Sequence, residues 1–553
     1  MKNYLLVGFL CCFTMCSFAQ LAEPEKIDNI FAAYTKADTP GCALGIIKDN
    51  ELVYAKGYGL ANMEYTIPNS PNTVFRIGST SKQFTAACIV LLAEKGKLSL
   101  DDNLKSLFPD FPDYAKKIRI KHLLNHTSGI RDYLQISYLK GLSDDDFYTD
   151  QDVMQWLVNQ TDLNFPPGEE HLYSNSGYWL LGQIVQKVAG MNMAEFAQKE
   201  LFTPLGMEHT HFHNDHTQIV KNRASGYVPI PNDGYKISMT TLDMIGDGGI
   251  FTTLNDIKKW DDSYYESKVL SNEFWRMMTQ QGVLNNGERI AYASGLVIGE
   301  YKGLKTIRHG GAFAGFRAEL VRFPEQNLSI ALFANRGDAN PSEMANQVAD
   351  IVLKEHFPKV VMAKSKNEKK EVETPKEEYK ISQLVGSYEI EPGIVLKLSV
   401  KNDTLRVVQT WNKSTYAIVK STANRFVIPE TDGLTFAFSN VSDGFTQTLT
   451  VIQNGQETKA VRKKEVDVSG VDLTAYVGNY YSKELDVTYT FKIENGLLKG
   501  RIKDKNVVMD CTPIDVDQVL IDFGLVRFLR TKGQITGLAL DAGRVKNLLF
   551  QKK

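Results

Sequence analysis

A serine and a lysine three residues apart precede a strongly apolar stretch, in Ser79-Thr80-Ser81-Lys82. If that stretch is a buried helix, its first turn brings the hydroxyl and the amine onto one face. Backbone N–H groups at a helix N-terminus favour a negatively charged oxygen. A buried lysine beside such a serine can take up the hydroxyl proton. The pattern therefore predicts a nucleophilic serine with a lysine base, although on its own it also fits a helix N-cap and a solvated lysine.

Two further motifs lie downstream. Tyr173-Ser174-Asn175 follows a Pro-Pro-Gly loop, and residues 179–188 after it are predicted to form a helix. Tyr173 and Asn175 would project to the same side of a short extended loop, where a phenol can relay protons and an amide can orient a lysine and a substrate carbonyl. His309-Gly310-Gly311 follows a predicted strand, and its glycines would let another backbone or a ligand approach closely.

In this order and spacing, the three motifs resemble those of the serine β-lactamase and penicillin-binding-protein superfamily: Ser-x-x-Lys, then Tyr-x-Asn, then Lys-Thr-Gly or a variant. The tyrosine form is similar to the branch that holds class C β-lactamases, D-aminopeptidases, D-Ala-D-Ala carboxypeptidases and related esterases. The resemblance covers roughly residues 25 to 355. It implies an antiparallel sheet flanked by helices, a helical subdomain, and an active site between the two.

The resemblance also implies a role for each matched residue. Ser79 would form an acyl-enzyme after Lys82, coupled to Tyr173, takes its proton, and which of the two is the principal base stays open. The implied catalytic residues are Ser79, Lys82, Tyr173, Asn175 and His309. The oxyanion hole would consist of the backbone N–H groups of Ser79 and Ala312. Substrate contacts would come from Asn175, His309, Gly310 and Gly311.

His309 stands where the family's third motif has a lysine. Because a histidine is mostly neutral at pH 7, recognition of carboxylated substrates such as penicillins is expected to be weak. Arg317 could supply a substitute anion contact or a surface salt bridge. The His-Gly-Gly form is similar to D-aminopeptidase-like members, so we predict such an activity, or another peptidase activity, on small peptides. The alternatives are an esterase, a weak β-lactamase or D-Ala-D-Ala carboxypeptidase, and a sensor that is acylated without turnover.

Length and charge limit the number of domains and the class of partner. A chain of 553 residues is expected to hold two to four domains, and 63 basic against 65 acidic residues give no sign of a nucleic-acid partner. Residues 1–19 have a basic start, an apolar middle and small residues at the end, which predicts a cleaved signal peptide and a secreted or periplasmic protein. No later segment predicts a membrane anchor, and we expect no cofactor.

The predicted domains are a β-lactamase-like hydrolase domain at 20–360, a charged linker at 361–380, and two repeats at 381–465 and 466–553. The linker is dense in lysine and glutamate, and few contacts are expected to cross this boundary. Leu384-Val385-Gly386-Ser387-Tyr388 matches Tyr476-Val477-Gly478-Asn479-Tyr480, which indicates a duplicated unit of short strands, each a small antiparallel β-barrel. Similar lipocalin-like barrels follow the catalytic domain of D-aminopeptidases, where the second barrel lends a loop to the active-site mouth.

Two smaller signals complete the sequence. On a strand, His209, His211 and His213 would share one face and could bind zinc or copper, with His216 in the same tract, but the mechanism needs no metal and we predict none. Three cysteines remain outside the predicted signal peptide, and we expect these to be buried free thiols.

Overall fold

The structure is a computed structural model. It describes residues 23–36, 38–143, 145–266, 268–358, 379–391, 393–410, 414–429, 434–453, 456–464 and 466–553. The predicted signal peptide and nearly all of the predicted linker lie outside these ranges. Within them, no helix is long and apolar enough to cross a membrane. The three remaining cysteines are buried free thiols, as expected.

The first part of the chain is built on an antiparallel sheet with helices on both faces. The strands of this part of the chain, six of which form that sheet, are β1 Cys42–Lys48, β2 Glu51–Tyr58, β3 Leu60–Asn62, β4 Ile67–Pro68, β5 Phe75–Arg76, β6 His211–Phe212, β7 Tyr227–Pro229, β8 Tyr235–Ile237, β9 Ile250–Thr252, β10 Val297–Tyr301, β11 Leu304–Phe313, β12 Phe316–Phe323 and β13 Leu328–Ala334. The helices are α1 Pro24–Ile30, α2 Lys82–Glu94, α3 Leu104–Leu107, α4 Ile120–Leu124, α5 Tyr133–Leu139, α6 Asp150–Val158, α7 Asn175–Ala189, α8 Met193–Ala197, α9 Leu254–Tyr265, α10 Asn272–Thr279 and α11 Pro341–Val352.

The main sheet has the strand order β10-β11-β12-β13-β1-β2. Asp49 and Asn50 link β1 to β2, and both have positive φ, as a two-residue type I′ turn requires. One face packs on α1 and α11 through residues such as Phe31 and Val348. The other face shares a larger core with the helical subdomain, in which Trp179 and Trp260 are fully buried. The predicted sheet, flanking helices and helical subdomain are all confirmed.

Two antiparallel barrels follow, as the repeat predicted. After a short helix, α12 Ile381–Leu384, the first is a closed barrel of eight strands. Its strands are β14 Gly386–Glu391, β15 Ile394–Lys401, β16 Thr404–Gln409, β17 Thr415–Thr422, β18 Arg425–Val427, β19 Leu434–Ser442, β20 Phe445–Gln453 and β21 Gln456–Lys463. The second is nearly closed, with nine strands: β22 Gly478–Ser482, β23 Val487–Glu494, β24 Leu497–Ile502, β25 Val508–Asp510, β26 Thr512–Asp515, β27 Gln518–Ile521, β28 Gly524–Thr531, β29 Gln534–Ala542 and β30 Val545–Lys552.

The same hydrogen bond marks both repeats. In the first barrel the Tyr388 hydroxyl donates to the carbonyl of Leu384 at 2.9 Å, and in the second the Tyr480 hydroxyl donates to the carbonyl of Tyr476 at 2.9 Å. Both tyrosines are fully buried, and each hydroxyl therefore needs a partner inside its barrel. The sequence match between the two copies reflects this shared structural requirement.

The second barrel docks on the catalytic part through a buried ion pair. Arg131 Nη1 donates to Glu484 Oε2, and the two side chains are only 1% and 6% exposed. Arg131 Nη1 also donates to Gln160 Oε1 at 3.0 Å, and the second Glu484 oxygen accepts from the Thr161 hydroxyl at 2.8 Å. The expectation of few contacts between the hydrolase domain and the repeats is therefore wrong for the second barrel.

We predict that Arg131→Met destabilises the protein by about 3 to 5 kcal/mol, because it leaves the Glu484 carboxylate buried without its cation. The double variant Arg131→Met, Glu484→Met removes both charges and should regain most of that loss. The matched control is Arg276→Met, which breaks the exposed pair with Glu273 and should leave stability unchanged. Thermal unfolding checks the series. Equal destabilisation in the single and double variants would contradict the role given to the pair.

Candidate active site

The 3₁₀ turn that carries Ser79, the predicted nucleophile, packs against the end of β11 and is called the nucleophile turn below. Ser79 lies in a 3₁₀ turn, Gly78–Ser81, and Lys82 opens α2, so the α-helix begins three residues later than a helix started by Ser79 would. Gly78 has φ of +51°, and a Cβ there would lie 2.8 Å from the nitrogen of Ala312. A Cβ on Gly311 would lie 1.9 Å from the Ile77 carbonyl oxygen. Both positions therefore require glycine for the strand and the turn to approach this closely.

Lys82 Nζ joins three separate segments at the centre of the site. It lies 3.1 Å from Ser79 Oγ, 2.9 Å from Asn175 Oδ1 and 2.6 Å from the carbonyl oxygen of Asp247. The lysine is fully buried, and these three acceptors match the three N–H donors of an ammonium group. The Asp247 carboxylate accepts from the Tyr133 hydroxyl at 3.0 Å, and burial raises the pKa of this carboxyl. The predicted pairing of Ser79 with Lys82 is thus present in the structure.

Tyr173 lies between two cations. Lys82 Nζ is 4.9 Å from the centre of its ring, and the guanidinium carbon of Arg544, from the second barrel, is 4.8 Å from it. The ring of His126 packs beside it at 4.1 Å between centres. The phenol oxygen is buried and makes no hydrogen bond within the described residues. Its capacity to form hydrogen bonds is therefore unused within the described residues.

Asn175 is the first residue of α7, not part of an extended loop as the Pro-Pro-Gly run suggested. The Ser174 hydroxyl caps this helix by accepting from Gly177 N–H at 3.3 Å, and the Asn175 N–H donates to Asp132 Oδ2 at 2.6 Å. Because Asn175 Oδ1 accepts from Lys82, its amide nitrogen is the end that can donate to a substrate carbonyl.

His309 is held as a neutral ring. Its Nδ1 donates to the carbonyl of Gly310 at 2.6 Å, because a carbonyl can only accept, and Nε2 then accepts from the Tyr292 hydroxyl at 2.8 Å. Burial, and then the charge of Lys82, lowers the pKa of His309 to about 4. The ring therefore carries no positive charge at neutral pH, and both of its nitrogens are engaged within the protein.

The end of β11 forms an open edge over the nucleophile. The neighbouring strand β10 pairs only with residues 304–308, so residues 309–313 have no strand partner on that edge. On the other edge, Gly311 pairs with Ala318 and Ala312 with Arg317 of β12. The backbone of Ala312 lies against the nucleophile turn, which fits its predicted place in an oxyanion hole beside the Ser79 N–H.

A cavity of about 540 Å³ opens from the nucleophile. All the predicted site residues except Lys82, which lies beneath it, contribute to its wall. Three arginines also reach it, and Asp247 is the one carboxylate among its lining residues. The apolar part of the wall includes Leu134, Leu242, Met244, Phe313 and Ala339.

The histidine side chains of residues 209–216 do not converge on one point. His211 Nε2 and His213 Nδ1 lie 3.2 Å apart and share a hydrogen bond, whereas His216 pairs with Asp243 at 3.0 Å. No group of three or more potential metal ligands occurs among the residues that the structure describes.

Four residues of the site were missed by sequence reasoning. The Asp247 carbonyl and the Tyr292 hydroxyl act on Lys82 and His309, and no motif marks a main-chain oxygen or a lone tyrosine. Arg76 precedes the nucleophile by three residues, and its charge was a usable signal. Arg544 lies in a Gly-Arg turn between two strands of the second repeat, and the family resemblance indicated only that some loop of the second barrel reaches the active-site mouth.

Comparison with known proteins agrees with this geometry. The family model described as Beta-lactamase matches residues 27–353. The chain is 28% identical over 430 residues to penicillin-binding protein 4* of Bacillus subtilis (strain 168), which covers 75% of this chain and 93% of that protein. It is 27% identical over 300 residues to a D-aminopeptidase of Gluconobacter oxydans (strain 621H), covering 54% of this chain and 56% of that protein. The chain thus matches little more than half the length of that D-aminopeptidase.

Solved structures share the fold. An octameric penicillin-binding protein homologue from Pyrococcus abyssi superposes with a TM-score of 0.53 at 23% identity, covering 88% of this chain and 97% of that one. A penicillin-binding protein from Bacillus halodurans gives a TM-score of 0.51 at 26% identity, covering 59% of this chain and 98% of that one. Since the family model spans more than half of the sequence, the chain belongs to the β-lactamase family and is a serine hydrolase of that family.

Proposed function

We propose that this protein hydrolyses amide or ester bonds of small peptides through an acyl-enzyme on Ser79. The observation that carries the proposal is the 3.1 Å contact between Lys82 Nζ and Ser79 Oγ at the base of a cavity large enough for a small peptide. The likeness to D-aminopeptidases supports a peptidase, and the neutral His309 removes the cation with which the family's third motif faces a carboxylate. We also propose export directed by residues 1–19.

The reaction follows from these contacts. In the reactive state the Lys82–Tyr173 pair lacks one proton relative to an ammonium and a phenol. Ser79 Oγ attacks the substrate carbonyl carbon while its proton passes to whichever of the two is deprotonated, directly to a neutral Lys82 or through the Lys82 ammonium to a Tyr173 phenolate. The negative charge that develops on the carbonyl oxygen is met by the N–H groups of Ser79 and Ala312. Collapse of this intermediate breaks the bond to the leaving group, which takes the proton from Tyr173. Water, deprotonated by the same pair, then releases the acyl group and restores Ser79.

Ser79→Ala is expected to abolish covalent labelling by a fluorophosphonate probe while the protein stays folded, because it removes the one nucleophile proposed. Mass spectrometry of the labelled protein checks the site. The control is Ser70→Ala, a serine on the same domain whose hydroxyl contacts the Thr73 hydroxyl and the Asn72 N–H of its own turn, and it should label fully. Full labelling of the Ser79→Ala protein would refute the assignment.

Lys82→Ala and Tyr173→Phe should each lower kcat by roughly a thousandfold or more, and the double variant should lose little beyond either single, because the two act as one unit. Steady-state kinetics on a p-nitrophenyl ester tests this. Additive losses would show that one residue is structural. A stable acyl adduct in the unaltered protein, with no turnover, would instead favour the sensor alternative.

Arg544→Leu should lower kcat/KM for the same ester by about three- to thirtyfold, since a cation on the Tyr173 ring fixes its face and adds positive potential near the phenol. Arg544→Lys should restore part of the rate. The control is Arg501→Leu, an exposed arginine of the same barrel that pairs with Glu494. Unchanged kinetics in Arg544→Leu would make the second barrel a structural support only.

A further inference from the structure

Arg76 is a buried cation on the wall of the active-site cavity. It is only 6% exposed and belongs to the same cavity lining as Ser79. Its Nε is buried without a hydrogen-bond partner, and none of the described residues forms a hydrogen bond or an ion pair with its guanidinium. A buried charge without a partner is costly unless something else supplies the partner.

The surroundings of Arg76 hold it in place without neutralising it. Its guanidinium carbon lies 4.8 Å from the ring centre of Phe313 and 5.9 Å from that of Phe251. Burial lowers the pKa of Arg76 to about 10, so the group is still charged at neutral pH. The two carboxylates that act on this charge are engaged elsewhere, Asp247 with the Tyr133 hydroxyl and Asp243 with His216.

The other two arginines of the cavity have partners. Arg317 Nη1 donates to the carbonyls of Ala314 and Phe316, at 2.8 and 2.7 Å. Arg544 lies 3.7 Å from Asp132 Oδ2 and stacks on Tyr173. The cavity thus contains one cation with no polar partner and no spare carboxylate that could receive the α-ammonium group of an aminopeptidase substrate.

We propose that Arg76 is an anion subsite of the active-site cavity and that the natural substrate carries a carboxylate, which the guanidinium binds while Ser79 attacks the scissile carbonyl. This inference rests on the proposed hydrolase function and narrows its substrates to anionic peptides, whose carboxylate would lie at Arg76 and not at His309, where both ring nitrogens are engaged within the protein. A planar guanidinium can bind a carboxylate through two parallel hydrogen bonds, which would satisfy the buried group.

The test uses pairs of substrates that match in shape and differ in charge. N-acetyl-D-glutamyl and N-acetyl-D-glutaminyl p-nitroanilide place the charge on the acyl side. N-acetyl-D-Ala-D-Ala and its C-terminal amide place it on the leaving side. We expect kcat/KM to favour the carboxylate in one of the two pairs by about 10- to 100-fold, the range for a charge-assisted hydrogen bond.

Substitutions then assign the preference to a residue. In Arg76→Met the carboxylate-to-amide ratio should fall to about one, and in Arg76→Lys it should fall partway, because the charge remains and the two-pronged geometry is lost. Arg289→Met, which removes an exposed arginine outside the cavity, should keep the full ratio. If Arg76→Met does not fold, the partial fall in Arg76→Lys gives the same decision.

The proposal is overturned if neither pair shows a preference, or if the ratio survives in Arg76→Met and collapses in Arg317→Met or Arg544→Met. Calorimetry measures binding at the subsite without turnover. The compounds are N-acetyl-D-glutamate, N-acetyl-D-glutamine, N-acetyl-D-Ala-D-Ala and the amide of this dipeptide. Tighter binding of a carboxylate that Arg76→Met abolishes supports the subsite even if no substrate is cleaved. Absence of both cleavage and probe labelling at Ser79 would instead refute the proposed hydrolase.

Discussion

The site depends on how Lys82 Nζ is held. Its three partners come from the nucleophile turn, the start of α7 and the loop before β9, so the amine cannot keep its position unless all three segments do. Each segment is fixed by a different device: glycines at Gly78 and Gly311, the Ser174 cap, and the Tyr133 hydroxyl on Asp247. A buried lysine with any of these acceptors missing would be a costly defect, so catalytic geometry and stability coincide here.

The second barrel extends this arrangement beyond the hydrolase domain. The ion pair between Arg131 and Glu484 anchors it, and Arg131 immediately precedes Asp132, which caps α5 and accepts from the Asn175 N–H. Two adjacent residues, Arg131 and Asp132, therefore hold the second barrel and the Asn175 backbone, respectively. The first barrel has an apolar core of its own, separate from that of the hydrolase domain, and the two repeats thus differ in what they contact.

The sequence predicted those contacts that form between residues close together in the chain. The spacing of Ser79 and Lys82 predicted a contact that the structure contains, and the matching Tyr388 and Tyr480 segments predicted the two barrels. Contacts between distant segments carry no such spacing. Arg131 and Glu484 lie 353 positions apart, and the Asp247 acceptor is a main-chain oxygen that any residue type would offer. The charged linker also suggested that the repeats make few contacts with the hydrolase domain, whereas the buried ion pair joins the second barrel to it.

In the turn that carries Arg544, the main chain makes the docking contacts and the side chain lines the cavity. Gly543 and Arg544 join β29 to β30, and the turn is held by the Arg544 carbonyl, which accepts from Asn164 Nδ2 at 2.9 Å and Asp132 N–H at 3.3 Å. Both bonds use the main chain, so they impose no identity on the side chain. A substitution of Arg544 can therefore change the charge at the cavity mouth, and with it the surroundings of Tyr173, while the docking of the turn is kept. Such an arrangement gives a lineage of these hydrolases a route to diversify without rebuilding the core.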